Sequence, residues 1–294
     1  MMQEIRIGTR SSKLALWQAN YVKSFLEENF PNYSVEIKKY KTTGDQNLKK
    51  NLDILGGRGA FVKEIQNALI NNEIDLAVHS YKDLPTENPS QLEIISVSPR
   101  EDERDVLISK NKISLNKLKK NSLVCTGSNR RTEQIKILRN DVLIEPIRGN
   151  IDTRIKKVID GNIDAIIIAA AGVRRLGLSE YITEYFSISD LVPSPLQGFI
   201  AIEARKGGSF NDFFKNFVSS NDLLIARLER KALELLNGSC DLPFGFNIQY
   251  KNSKFMCSYF IKYNNECISG EKELDEKSIN DDVLSLIKKI SLNS

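Results

Sequence analysis

The sequence predicts an α/β protein of two lobes joined by a double crossover, followed by a small α+β C-terminal domain. Three observations carry this. Strand-like and helix-like periods alternate from residue 4 to about residue 205. Apolar runs such as AIIIAAA (165–171) lack polar alternation, the mark of strands buried on both faces and so of parallel or mixed sheets covered by helices. Two breaks, PREDER (99–104) and LVPSPLQG (191–198), divide the alternation. The chain therefore leaves a first unit, builds a second and returns, with a cleft expected between the lobes. The boundaries read as 1–98 with 194–218 for domain 1, 99–193 for domain 2 and 219–294 for domain 3. The length of 294 residues agrees with two or three domains.

The elements follow in order. EIRIGTR (4–10) reads as a strand, and Ser11 and Ser12 cap a helix from Lys13 to about Asn29. SVEIKKYKT (34–42) alternates as a strand. The stretch 42–59 has no period and reads as a mobile lid with a cationic tip at Arg58, against the alternative of a solvated loop. A helix at 60–72 and strands at 75–80 and 92–98 follow. After the first break come DVLISK, a helix near 114–120, SLVCTG, a helix at 129–139, VLIEPIR, a helix at 151–160 and the strand DAIIIAAAG. FIAIEAR is a strand after the second break. From Asn221 the pattern becomes a long helix (221–236), three short alternating strands and a last helix (276–290).

Composition narrows the function. No run of 18 apolar residues exists, so no membrane-spanning helix is expected, and the N-terminus has no secretory pattern, which points to the cytoplasm. Cys125, Cys240, Cys257 and Cys267 form no CxxC pair and read as free thiols. His79 is the one histidine, so no metal site is expected. The net charge of +4 is too mild for an obligate nucleic-acid binder. Yet seven of the 15 arginines fall between Arg130 and Arg175, which suits bidentate recognition of carboxylate or phosphate.

Those arginines sit where strands end. GTRSS (8–12) joins a strand to a helix N-terminus, where backbone N–H groups, hydroxyls and Arg10 suit an anion; an ordinary cap with a solvated arginine is the alternative. CTGSNRR (125–131) puts Arg130 and Arg131 at a helix start, where cations oppose the helix dipole unless an anion lies between them. IRGN carries Arg148, with Arg154 six residues on, and GVRRLGL carries Arg174 and Arg175 after a fourth strand. Together they point to a multiply charged ligand at the sheet edge. In HSYKDLP (79–85), Asp83 is a turn aspartate or a carboxylate that stabilises a developing cation or moves a proton, and His79 reads as a packed strand residue. Cys240 lies in the turn NGSCDLPFG, a setting suited to covalent attachment more than to core filling.

The stretches IGTRSSKLALWQA, GGRGAFVKE, DLAVHSYKDLP, TGSNRR, IRGNIDTR, GVRRLGL and NGSCDLPFG, in this order, resemble the porphobilinogen deaminase (hydroxymethylbilane synthase) family across essentially the whole chain. The resemblance implies that domains 1 and 2 are type-II periplasmic-binding-protein-like lobes and that domain 3 carries the cysteine. It implies a transferase of tetrapyrrole (haem or porphyrin) biosynthesis. Four porphobilinogen molecules are joined head to tail, four ammonias leave, and hydroxymethylbilane is released. It implies a covalent dipyrromethane cofactor held by a thioether on Cys240. Carried over by motif, Lys82, Thr126, Ser128, Arg130 and Arg131 hold cofactor carboxylates. Arg10, Ser12, Gln18, Arg148, Arg154 and Arg175 hold substrate and growing chain, with Arg58 and Phe61 from the lid. Asp83 faces the pyrrole N–H groups, of substrate and cofactor alike, and stabilises the azafulvene cation left when ammonia departs. The family implies a cytoplasmic monomer with a small-molecule substrate and neither a nucleic-acid nor a membrane partner.

This sequence departs from the family's usual G-T-S-S-L-R-R at Cys125, Gly127 and Asn129, and Gly127 lacks a hydroxyl that would bond the cofactor. Arg58 stands for the bacterial lid lysine, Leu196-Gln197-Gly198 for the usual G-Q-G, and Ser239 for the glycine before the cysteine. Two rival readings are a non-enzymatic binding protein, which leaves Cys240 unexplained, and a nucleic-acid binder, which the scattered placement of the arginines disfavours.

Overall fold

The computed structural model describes residues 3–41, 62–236, 242–263 and 266–292. The chain divides into two compact units, Met1–Glu101 with Phe199–Ala226, and Asp102–Gly198 with Arg227–Ser294. No helix among the described residues is long and apolar enough to cross a membrane.

The N-terminal part runs β1 (Gln3–Arg10), α1 (Lys13–Asn29), β2 (Tyr33–Tyr40), α2 (Lys63–Ile70), β3 (Leu76–Ser80), a 3-10 turn (Tyr81–Asp83) and β4 (Leu92–Val97). The middle part runs β5 (Asp105–Ser109), β6 (Leu123–Cys125), α3 (Asn129–Leu138), β7 (Leu143–Glu145), α4 (Ile151–Ile159), β8 (Ala165–Ala169), α5 (Ala170–Arg175) and β9 (Glu184–Tyr185). The last part runs β10 (Ile200–Arg205), α6 (Ser220–Leu235), β11 (Phe244–Lys251), β12 (Lys254–Tyr263), β13 (Glu266–Leu274) and α7 (Ile279–Leu292).

In the first unit the sheet order is β2-β1-β3-β10-β4. β1 is parallel to β2 and β3, and β10 is antiparallel to both of its neighbours. Both faces are covered. Leu76 and Val78 of β3 join Ala19, Val22 and Leu26 of α1 on one face, and Ala77 joins Ile65, Ala68 and Leu69 of α2 on the other. Double coverage is why the strand reads as an unbroken apolar run.

The second unit repeats the wiring, with the order β7-β6-β8-β5-β9. β6 is parallel to β7 and β8, and β5 runs antiparallel to β8 and β9. Two expectations are corrected here. The helix near 114–120 is only a 3-10 turn, Leu115–Lys117; Leu115 and Leu118 both turn into the core, and a segment so short does not sustain helix. The run DAIIIAAAG is not one strand. It leaves the sheet after Ala169 and becomes α5, because alanine favours helix over strand. Arg174 and Arg175 therefore close a helix, where cations complement the dipole. The two-residue strand β9 had no periodic signal in the sequence.

The C-terminal sheet, β11-β12-β13, is antiparallel throughout. It docks on the crossover of its own unit. Phe246 N donates to Pro193 O at 2.9 Å, and a Cβ on Gly245 would lie 2.7 Å from Val192 O.

Candidate active site

In the first unit, parallel pairing of β1 and β3 brings their C-terminal ends to one sheet edge. Arg10 ends β1, half-buried, and Ser12 caps α1 by accepting from Ala15 N at 3.3 Å. Lys82 and Asp83 stand in the 3-10 turn after β3, with Lys82 half-buried and Asp83 exposed. That turn is anchored. Tyr81 N donates to Phe199 O at 3.0 Å, Leu84 N donates to Tyr81 O at 3.1 Å, and Tyr81 and Leu84 are buried. Asp83 is thus an exposed carboxylate between two buried hydrophobic anchors. Gln18, expected among the substrate-binding residues, is buried at 1% exposure. Its Nε2 donates to Ser80 Oγ at 2.8 Å and its Oε1 accepts from the same hydroxyl at 3.2 Å, so Gln18 braces β3 from α1.

In the second unit, β6, β7 and β8 are parallel and likewise share an edge. Thr126 is buried and its hydroxyl donates to Ile167 O at 3.2 Å. Ser128 caps α3, accepting from Arg131 N at 3.5 Å. An internal carboxylate lies between Arg130 and Arg131. Asp105, fully buried at the start of β5, accepts from Arg130 Nη2 at 2.7 Å through one oxygen. Through the other it accepts from Arg131 Nε at 3.0 Å and Nη2 at 2.7 Å. Gln197 Nε2 donates to Asp105 at 2.8 Å and to Glu103 O at 2.7 Å. Arg130 Nη1 donates to Val192 O at 2.6 Å. Burial alone would raise the Asp105 carboxyl. The Arg130 and Arg131 guanidiniums outweigh it and hold that carboxyl well below the usual range. Two cations against one carboxylate leave a net positive charge here, and Arg130 Nε–H is buried without a hydrogen-bond partner among the described residues.

Asp105 directly follows the break PREDER and is not among the residues the sequence singles out; its usable signal is an aspartate opening an otherwise apolar strand, DVLIS.

Arg148 lies exposed in the turn after β7. The next residue, Gly149, has φ +108°, a conformation suited to glycine. Arg154 Nε, on α4, donates to Gly149 O at 2.8 Å. Arg175, buried at the end of α5, donates from Nη2 to Gly198 O at 2.7 Å. Gly127 has a steric reason as well as a lost hydroxyl. A Cβ there would lie 2.9 Å from Ile147 O, in the backbone just before Arg148. Glycine lets the two arginine-bearing turns approach. Gly127→Ser should push them apart and cost about 1–3 kcal/mol, read by thermal unfolding together with KM for the substrate; unchanged values of both would refute the close-approach argument.

Arg58, Phe61 and Cys240 lie outside the described residues.

Residues 5–210 match the family model described as porphobilinogen deaminase, dipyromethane cofactor binding domain. The chain belongs to the porphobilinogen deaminase family. Among curated relatives, the porphobilinogen deaminase of Ruminiclostridium cellulolyticum is 40% identical over 281 residues, covering 92% of this chain and 94% of its own. That of Clostridium perfringens (strain ATCC 13124) is 42% identical over 276 residues, with the same two coverages. That of Alkaliphilus metalliredigens is 44% identical over 245 residues, 83% of this chain and 78% of its own. Among solved structures, the methionine binding protein MetQ covers 80% of this chain and 96% of its own at 14% identity, with a TM-score of 0.43. The deaminase domain's cofactor fits the side chains present: a dipyrromethane bears carboxylates, and guanidiniums, a lysine and capping hydroxyls at strand ends are donors for them.

Proposed function

We propose that this chain is a hydroxymethylbilane synthase, joining four porphobilinogen molecules head to tail with loss of four ammonias in tetrapyrrole biosynthesis. The observation that carries the reading is Asp83: an exposed carboxylate on an anchored turn, at the sheet edge that also bears Arg10 and Ser12, inside a stretch matching the deaminase family.

Each porphobilinogen carries an acetate and a propionate, so a growing chain gathers negative charge. Forked guanidiniums bind such groups in fixed orientation. In the proposal, Arg10, Ser12, Arg148, Arg154 and Arg175 hold substrate and product carboxylates, with Arg58 and Phe61 supporting them. Gln18 contributes by fixing the strand before Lys82 and Asp83. When the aminomethyl group loses ammonia, positive charge develops on the methylene carbon and is shared with the ring nitrogen. Asp83 accepts a hydrogen bond from the pyrrole N–H and stabilises that charge. The new bond joins this carbon to the free α-carbon of the preceding ring, whose proton then leaves, and the proposal gives Asp83 the part of accepting it.

The dipyrromethane, when bound, supplies the first pyrrole α-carbon of the chain. Cys240, in domain 3 (219–294), is its attachment point in this proposal, and Lys82, Thr126, Ser128, Arg130 and Arg131 are its carboxylate donors. Arg130 and Arg131 come to that role already anchored on Asp105. The same reading makes the protein a cytoplasmic monomer.

Intact-mass measurement of the purified chain beside a Cys240→Ser variant tests this. The expected result is a mass above the 33.3 kDa polypeptide by two linked pyrrole units, absent from the variant. An unmodified chain that gains no adduct on incubation with porphobilinogen would refute it.

A further inference from the structure

The end of β3 is gripped from both faces of its sheet, and one grip uses groups given no role above. On the α1 face, Ser80 exchanges hydrogen bonds with Gln18. On the α2 face, His79 Nε2 lies 3.3 Å from Glu203 Oε2, and Gln66 Nε2 donates to Glu203 Oε1 at 2.9 Å. These three side chains tie together β3, β10 and α2. They are buried, with 7% exposure for His79 and Gln66 and none for Glu203. The register explains the meeting. Ala201 pairs with His79 and Glu203 with Ala77, so His79 and Glu203 project from one face of adjacent strands. His79 Nε2 and Glu203 Oε2 are both buried and make no hydrogen bond among the described residues, so their approach to each other is a contact at ion-pair distance.

A buried carboxylate is costly and an apolar residue would fill this space without that cost, so the polar bridge calls for a reason beyond packing. Its position supplies one. Lys82 and Asp83 lie three and four residues beyond His79, and Phe199, which accepts from Tyr81 N, lies four residues before Glu203. The bridge thus joins the two strands whose ends frame the Asp83 turn.

We infer that His79 and Glu203 are a positioning pair for Asp83, locking the end of β3 against β10 so that the carboxylate is presented in one place. The inference rests on the role proposed for Asp83. The backbone ladder fixes the register of β3 against β10, and the His79–Glu203 contact adds a side-chain tie at the last rungs before the turn. Two polar groups buried at 3.3 Å from each other, with Gln66 holding the second carboxylate oxygen, favour the one arrangement that keeps them together.

Three variants of the cofactor-loaded enzyme test this: His79→Phe, His79→Gln and His79→Asn, with loading checked by intact mass. Phenylalanine keeps the volume and removes the ring nitrogen that faces Glu203. Glutamine keeps an N–H at about the reach of Nε2, and asparagine is one methylene too short. For each, kcat and KM for porphobilinogen and the unfolding temperature are measured. The expected result is a kcat about 10–100-fold lower for the Phe and Asn variants, with KM changed less than about threefold. The Gln variant should keep most of the wild-type kcat even if all three unfold at lower temperature. If the Phe variant does not fold, the Gln and Asn pair reads the same contrast. Wild-type kcat in the Asn variant would overturn the inference, as would a Gln variant no better than Asn. Asp83→Asn in the same assay separates the two ideas. If it stays active, the role of Asp83 falls and the positioning role with it. If it is inactive while every His79 variant is fully active, only the positioning role falls.

Discussion

Asp83→Asn should lower the steady-state rate of porphobilinogen consumption by about 10²–10³-fold, the usual cost of removing one group aimed at charge developing in the transition state. Asparagine is nearly the same shape and still accepts a hydrogen bond from a pyrrole N–H. What it lacks is the negative charge. Because Asp83 is exposed on a turn held by the Tyr81 and Leu84 backbone, the substitution should leave the unfolding temperature unchanged. The loss should fall mainly on kcat, since the proposed function gives the substrate carboxylates to other residues. A variant with rates within a few-fold of wild type would remove Asp83 from the chemistry.

The largest stability loss is expected from Asp105→Asn. Arg130, Arg131 and Gln197 all converge on this carboxylate, and none of the three side chains is more than slightly exposed. Removing its charge leaves two adjacent guanidiniums buried against each other. Breaking one partner out of such a pair costs about 3–5 kcal/mol, or about 6–20 °C in unfolding temperature for a unit of this size. The pH dependence has a definite sign. The folded-state pKa of Asp105 is depressed below its unfolded value. Its contribution is therefore complete above the ordinary aspartate range and is lost as pH falls below that range toward the folded value. Urea unfolding of wild type and variant from pH 7 to pH 3 should show the gap between them narrowing only at the acid end. A gap below about 1 kcal/mol at pH 7 would mean that the guanidiniums find other acceptors.

Much of this was legible in the sequence, because the fold is written in periodicity. The apolar runs DLAVHS and AIIIA are strands with helical residues packed on both of their faces, and the two breaks fall where the chain passes between the units. Strand-end arginines were legible for the same reason: parallel strands in one sheet put their C-terminal ends together. Partnership was not legible. Two arginines at a helix start call for an anion, but nothing local shows that Asp105, 25 residues earlier, supplies one. Gln18 is counted among the substrate-binding residues only through the family motif IGTRSSKLALWQA, and its turn toward Ser80 depends on a strand 62 residues away. The boundary inside DAIIIAAAG was invisible to hydropathy, because alanine is equally apolar in strand and helix.

The place of β10 in its sheet constrains how the protein is made. β3 and β4 do not pair with each other; each pairs with β10, which enters between them in antiparallel fashion. Residues 98–199 separate β4 from β10 in the chain. At about 5–20 residues per second, a ribosome needs about 5–20 s to deliver that stretch. Throughout that interval the nascent N-terminal segment carries two strand edges awaiting the same partner, the kind of surface on which chains associate with one another. The intervening segment, residues 102–198, holds every strand of the sheet β7-β6-β8-β5-β9 and emerges before β10 does. Assembly from the N-terminus forward is thus interrupted. The turn bearing Asp83, anchored on Phe199 at the threshold of β10, is among the last parts of the first unit to be fixed.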